Sequence, residues 1–323
     1  MKPMPVEIAL VVPVYNEAAM LPQTLPQILA QVRQDLPGVK VSLITVDDGS
    51  RDDTRAVLRQ MARTELALRP ASFTRNFGKE AAIQAGLRLA LEQTRAQAIV
   101  VLDSDLQHPP ELIATMVQHW REGHVVAEAV KRRRPDDEGG VRRLAAGLFY
   151  RGFTRFSGLD LERVTDFKLL DREVARAVVD LRERARFFRG IVRWLGYPSA
   201  RVEFDVPDRA GGHTGWTLSQ LARYAWRNLT AFSSAPLRAV TTIGALGLVI
   251  GGVLGIKAVV DKINGVALSG FSTVILLQVI FSSLILVSLG IIGHYIALIY
   301  DEIKGRPHYV LRQDLPDLHQ EDA

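Results

Sequence analysis

The chain has 323 residues, 48% of them hydrophobic, a formal net charge of +5 and no cysteine. That length holds one large domain or two smaller ones with an ample core. The lack of cysteine excludes disulfides and thiolate metal sites. Basic residues cluster at 131–134, 142–155 and 182–193, and again ahead of an almost uncharged stretch from 239 to 300. This distribution suits an anionic bilayer face or anionic substrates; with no aromatic–basic RNA motif beside it, nucleic acid is not an expected partner.

Residues 6–131 alternate apolar runs with helical patterns. Strands are predicted at Glu7–Val12, Val41–Val46, Leu66–Phe73, Ala98–Leu102 and Val125–Val130, and helices near 18–34, 52–64, 79–93 and 109–121. Near-continuous apolar strands separated by helices imply an α/β fold, a mostly parallel sheet covered on both faces. Met1–Tyr15 has one Lys and an apolar run broken by Pro13, so it reads as a first strand and not as a signal peptide. Ser50 or Asp52 can cap the second helix, and Pro109-Pro110 opens the fourth.

Lys131–Gly140 is a charged loop ending in glycines, read as a solvated connection or as a lid over phosphates. An amphipathic helix follows, its stripe of Ala145, Leu148, Phe149, Gly152, Phe153 and Phe156 read as core packing. A second amphipathic helix, Leu218–Phe232, carries Tyr224 and Trp226 beside Arg223 and Arg227, the composition of an interfacial anchor. Two apolar spans, 239–260 and 271–295, are each long enough for a bilayer at about 20 residues. Their short connector, Asp261–Gly270, makes them a hairpin. Arginines before the first span and Lys304, Arg306 and Arg312 after the second place both termini in the cytoplasm. Gly247, Gly251 and Gly255 clear one helix face for close contact, with the other span or with a second copy of the chain.

Four local sequences carry the chemistry. Val12-Pro13-Val14-Tyr15-Asn16-Glu17 ends the first strand, and Val46-Asp47-Asp48-Gly49-Ser50 ends the second. Arg75-Asn76-Phe77-Gly78-Lys79 follows the third, and Asp103-Ser104-Asp105-Leu106-Gln107 ends the fourth. Parallel strands would bring all four to the carboxyl edge of the sheet, where open α/β sheets bind ligands. Asp103 and Asp105, two residues apart on an extended segment, would point the same way. Their hard oxygens suit Mg²⁺ or Mn²⁺ shared with a substrate's phosphates.

Together these segments resemble the nucleotide-sugar-binding half of the GT-A glycosyltransferases of family 2. Thr165-Asp166-Phe167-Lys168-Leu169-Leu170, Phe187-Phe188-Arg189-Gly190 and Phe232-Ser233-Ser234-Ala235-Pro236-Leu237-Arg238, followed by two spans, are similar to the polyprenyl-phosphate members. The resemblance runs from Val6 to about Arg312. It implies a Rossmann-like GT-A catalytic domain at 1–215, an interfacial helix at 216–238, a transmembrane hairpin at 239–300 and a cytoplasmic tail at 301–323. It further implies that Pro13, Tyr15, Glu17 and Asp48 hold the base and ribose, with Arg75, Lys79 and Arg209 as further donor contacts. Asp103 and Asp105 would face the metal and diphosphate with Gln107 beside them, Arg189 and Arg209 would clamp phosphate, and Asp166 is the family's candidate base.

Two departures stand out. His108 replaces the acidic residue that commonly follows the Gln, and is read here as a turn cap. Gly215 replaces a lysine in Gly212-His213-Thr214-Gly215-Trp216, which leaves one expected phosphate contact to Arg209 or Arg223.

The implied reaction transfers one sugar, glucose from UDP-glucose being the first candidate, to a polyprenyl phosphate at the inner membrane, with inversion. GlcNAc, mannose, galacturonate and aminoarabinose donors stay open, as does a homo-oligomer. The acceptor is already anionic at neutral pH, its second pKa being about 6, so Asp166 is expected to orient more than to take a proton. A processive synthase is disfavoured because its Gln-x-x-Arg-Trp motif appears as Gly190-Ile191-Val192-Arg193-Trp194. A non-catalytic scaffold would need none of these acidic and Arg positions, and no Gly-x-Gly-x-x-Gly follows the first strand to suggest an oxidoreductase.

Overall fold

The computed structural model describes residues 6–132, 164–181, 183, 186–205, 235–265 and 271–312. The loop from 133, the helices expected at 142–156 and 218–232, Arg209, Gly212–Trp216 and the tail from 313 lie outside the described residues.

A seven-stranded sheet forms the first of two units, in the order β3-β2-β1-β4-β6-β5-β7. Its strands are β1 (Glu7–Val14), β2 (Lys40–Asp47), β3 (Leu68–Ser72), β4 (Ala98–Val101), β5 (Val126–Lys131), β6 (Val164–Asp171) and β7 (Ser199–Phe204). The first four are mutually parallel, joined by α1 (Leu21–Asp35), α2 (Thr54–Thr64) and α3 (Lys79–Gln93). Every residue of β1 and of β4 is buried, as strands covered on both faces require. Ile8, Leu10, Val12, Leu43, Val100, Phe167 and Leu169 join the apolar stripe of α1 in one core. On the other face α3 lies close: a Cβ on Gly86 would meet Val11 Cγ1 at 2.3 Å.

The sheet is mixed. β6 runs antiparallel between β4 and β5, and β7 pairs parallel with β5 at the margin. Two further helices, α5 (Arg172–Asp180) and α6 (Phe188–Trp194), follow β6, while α4 (Leu112–Arg121) precedes β5. Pro109 and Pro110 supply carbonyls that accept from Leu112 and Ile113, a turn leading into α4. Asp52 accepts the Thr54 N–H at 3.1 Å at the start of α2, whereas Ser50 Oγ accepts instead from Asn16 N–H at 2.8 Å.

Residues Arg306–Arg312 also belong to the sheet unit. Thr74 N–H donates to Val310 O at 3.0 Å and Arg312 N–H to Ser72 O at 2.9 Å, an antiparallel bridge on the outer edge of β3.

The second unit contains the two long helices α7 (Ala235–Ile263) and α8 (Phe271–Ile303). Pro236–Asp261 and Leu277–Ile303 are long and apolar enough to cross a membrane, and neither is buried within the chain. Gly247 faces Phe281 of α8, its notional Cβ 3.7 Å from that ring, while Gly251 and Gly255 have nothing within 4 Å among the described residues.

Candidate active site

Because β1 to β4 are parallel, their carboxyl ends bring the four motif segments to one edge. On the β2–β3 side the backbone does most of the positioning. Asp48 is buried, and its carboxylate accepts from Phe77 N–H at 2.6 Å and Gly78 N–H at 3.0 Å. Burial pushes its pKa up, and those two amides work against the rise. Gly49 has φ +67 and lies so close to the following loop that a Cβ would sit 2.3 Å from the Arg75 carbonyl carbon. No L side chain fits there. Asn16, also left-handed at φ 54, accepts from Arg51 N–H at 2.8 Å, and Glu17 N–H donates to Thr54 Oγ1 at 2.8 Å. These bonds tie the end of β1 to the turn after β2. Pro13 is buried within β1, opposite Val46 of β2 and past the last β1–β4 pair, Val11↔Val101, and Tyr15 is exposed.

On the β4–β6 side, charge does the positioning. The register Val101↔Lys168, carried two residues further, sets Asp103 opposite Asp166. Lys79, opening α3, bridges them with Nζ 2.6 Å from Asp103 Oδ1 and 3.0 Å from Asp166 Oδ2. Arg189, in the first turn of α6, grips Asp166 in fork geometry: Nε to Oδ1 at 2.7 Å and Nη2 to Oδ2 at 3.0 Å. Its Nη1 donates to Val164 O at 3.1 Å. Burial alone would raise the Asp166 pKa, but Arg189 and Lys79 outweigh it and hold the carboxyl well below the usual range. Lys79 is held protonated by the two aspartates despite its desolvation.

Glu17 takes a short hydrogen bond from Ser104 Oγ at 2.5 Å. Burial, aided by the nearby charges of Asp105 and Asp103, lifts its pKa to about 7. Glu80, next to Lys79, is likewise raised to about 7 by burial and the Asp166 charge, while Phe188 N–H donates to it at 2.7 Å.

The aspartate pair differs from the expected geometry. β4 ends at Val101, and Asp103–Leu106 form a turn in which Leu106 takes φ 57. The two carboxylates therefore leave a turn and not an extended strand: Asp103 meets Lys79, while Asp105 Oδ1 accepts from Gln107 N–H at 3.0 Å. His108 Nδ1 accepts the Asp103 N–H at 3.2 Å, and its ring stacks on Phe167 at 5.1 Å. Burial depresses its pKa, so it is a neutral cap.

Of the expected site residues, the structure gathers Asp103, Asp166, Lys79 and Arg189 into one ion-paired cluster. Glu17, Asp105 and Gln107 lie on the turns beside it, and Asp48 and the Arg75 loop form the neighbouring wall. Sequence reasoning missed three contributors. Ser104 and Glu80 give no motif signal of their own. Lys168 is fully buried one pleat from Asp166 and pairs with Glu128 at 2.7 Å. Arg193, in the segment compared with the processive synthases, is bound into that buried pair 3.2 Å from Glu128, while Trp194 is exposed.

A lysine and an arginine held by two carboxylates at a strand edge suit stabilisation of negative charge building on phosphate oxygens. The sequence profile described as "Glycosyl transferase family 2" matches residues 9–179. The chain belongs to that family. It is a glycosyltransferase, and its mixed α/β sheet is of the GT-A type. An "Uncharacterized glycosyltransferase YkcC" of Bacillus subtilis is 34% identical over 317 residues, covering 95% of this chain and 94% of that protein. A "Bactoprenol glucosyl transferase" of Shigella phage SfX is 34% identical over 315 residues, covering 95% and 99%. Among solved structures, mannosyl-3-phosphoglycerate synthase from Rubrobacter xylanophilus gives a TM-score of 0.49 at 18% identity, over 74% of this chain and 75% of that one.

Proposed function

We propose that this glycosyltransferase moves one sugar from a nucleotide-sugar donor, UDP-glucose first among candidates, to a polyprenyl phosphate, with inversion and a divalent metal. The reaction would occur at the cytoplasmic face of the inner membrane. The observation that carries the reading is the Asp103–Lys79–Asp166–Arg189 cluster at the common edge of four parallel strands. Support for the acceptor comes from relatives of matching length named bactoprenol glucosyl transferase, and from two helices apolar enough to span a bilayer. On this reading the chain divides into a catalytic domain at 1–215, an interfacial helix at 216–238 and a hairpin at 239–300, with 301–323 cytoplasmic.

Asp103 and Asp105 fit Mg²⁺ or Mn²⁺. Both offer hard oxygens, and the Lys79 ammonium 2.6 Å from Asp103 marks that carboxylate as a seat for a cation. Such an ion, when bound, neutralises charge developing on the departing diphosphate. The protein's own groups do the rest. Arg189 and Lys79 keep positive charge at the transfer point, and Asp166 fixes both of them. A carboxylate with so depressed a pKa is a weak proton acceptor, and a phosphate acceptor with a second pKa of about 6 needs little deprotonation. Asp166 therefore orients, and the acceptor attacks as an anion.

The test offers purified full-length protein several labelled nucleotide sugars with polyprenyl phosphate and Mg²⁺ or Mn²⁺. Label entering the lipid phase from one donor supports the reading and names the sugar. No transfer from any donor sinks it.

A further inference from the structure

The segment that returns to the sheet after α8 touches the donor wall of the site through a chain of rings. Tyr309 stacks on Phe73, centroids 5.0 Å apart and planes 18° from parallel. Phe73 in turn meets Phe77 edge-on at 5.6 Å, and the Arg75 guanidinium lies 4.7 Å from the Phe77 ring centre. Phe77 and Gly78 are the residues whose amides hold Asp48. The loop Arg75–Gly78 is thus gripped from two sides. Asp48 and the close approach of Gly49 fix it from β2, and the Tyr309–Phe73 stack fixes it from the outer edge of the sheet.

This second grip is built in detail. Phe73 is 1% exposed although it directly follows β3, a strand at the edge of the sheet. The backbone bridge at Thr74–Val310 and Ser72–Arg312 straddles it on the side where β3 has no other strand among the described residues. Tyr309 is partly buried, with Arg88, Glu92 and Arg186 as its charged neighbours. A stack between two rings packed this way contributes beyond its buried area. An exposed tail with no task would show neither the bridge nor the buried ring.

We propose that Tyr309 is a positioning residue for the donor: through Phe73 and Phe77 it holds the Arg75–Gly78 loop where the nucleotide sugar binds. This rests on the proposed function, since it takes that loop as donor-contacting. The segment leaves α8 only a few residues earlier, Ile303 being the last helical residue. The chain that exits the second apolar helix is therefore also a wall-support of the donor pocket.

The experiment uses the full chain in lipid nanodiscs. It measures the KM of the nucleotide-sugar donor, the KM of polyprenyl phosphate, kcat, and the Kd of UDP with Mn²⁺ by calorimetry. Tyr309→Ala should weaken donor KM and UDP Kd about tenfold, equivalent to ~1.4 kcal/mol, with the acceptor KM unmoved. Tyr309→Phe, which keeps the ring, should restore wild-type donor values. Arg312→Pro removes the hydrogen bond to Ser72 O and leaves the rings in place; it should show a smaller loss of the same donor-selective kind, and it carries the test if Tyr309→Ala does not fold. Unchanged UDP affinity in Tyr309→Ala, or equal weakening of donor and acceptor, overturns the positioning role. Wild-type protein that binds no UDP and transfers no sugar overturns the proposed function itself, a failure seen before any variant is made.

Discussion

The two walls of the site are held in different ways. On the β2–β3 side the contacts are backbone amides to one carboxylate, a glycine with no room for a side chain, and stacked rings. On the β4–β6 side they are ion pairs, Asp103 to Lys79 to Asp166 to Arg189, assembled across a mixed register. The first wall is shaped by volume and φ, so it should resist changes of charge and fail when an atom is added. The second is shaped by charge and should tolerate little neutralisation.

The largest loss is expected from Asp103→Asn, or from a chelator with the wild type. Either should lower transfer by at least about 10³-fold, since the group facing the developing charge is lost. Glycolipid formed at wild-type rate under both treatments would end the metal-based reading. Asp166→Asn leaves Lys79 and Arg189 without their shared carboxylate and should cost about 10²-fold in kcat. If Asp166 only orients, the fold loss is the same at pH 6 and at pH 8. A loss much larger at pH 6, where the acceptor is still about half protonated, than at pH 8, where it is fully ionised, would make Asp166 a true base.

Gly49→Ala tests the other wall. Its Cβ would lie 2.3 Å from the Arg75 backbone at a φ of +67, so the loop must move. We expect donor affinity to fall at least tenfold, about 1.4 kcal/mol, at unchanged net charge. A wild-type donor KM would show the close approach to be dispensable.

The last test reads stability and not transfer, and concerns Glu80. Its folded pKa of about 7 exceeds the ordinary 4.5, so the stability it contributes is present below 4.5 and is lost as pH rises toward 7. Glu80→Gln keeps an acceptor for Phe188 N–H and avoids that loss. It should unfold at a higher temperature than wild type at pH 8, by about 3 kcal/mol of stability, with no difference near pH 4. Equal pH dependence in both proteins would rule out a buried, reluctant carboxylate.

Much of this molecule was readable in the chain. Apolar runs such as Ala98–Val101 mark buried parallel strands because hardly any polar residue interrupts them, and the four motifs follow directly from where those runs end. The antiparallel β6 was legible only as a motif. Two of its central residues, Asp166 and Lys168, are buried charges, so its pattern does not announce a core strand. β7 was missed although Ala200, Val202 and Phe204 alternate, because six residues with exposed Arg201 and Glu203 resemble a loop. The Lys79–Asp166 contact joins residues 87 positions apart, and no local spacing encodes it. The return of Val310–Arg312 to β3 is harder still, since a bridge so short has no periodicity to read.

Among the described residues β3 is the last strand on its side, and a bare margin of unpaired amides and carbonyls invites strands from other molecules. The protein's own C-terminal stretch shields the end of it. A version cut just after the second long helix would uncover that margin, and should clump in solution even with every motif of the reaction intact.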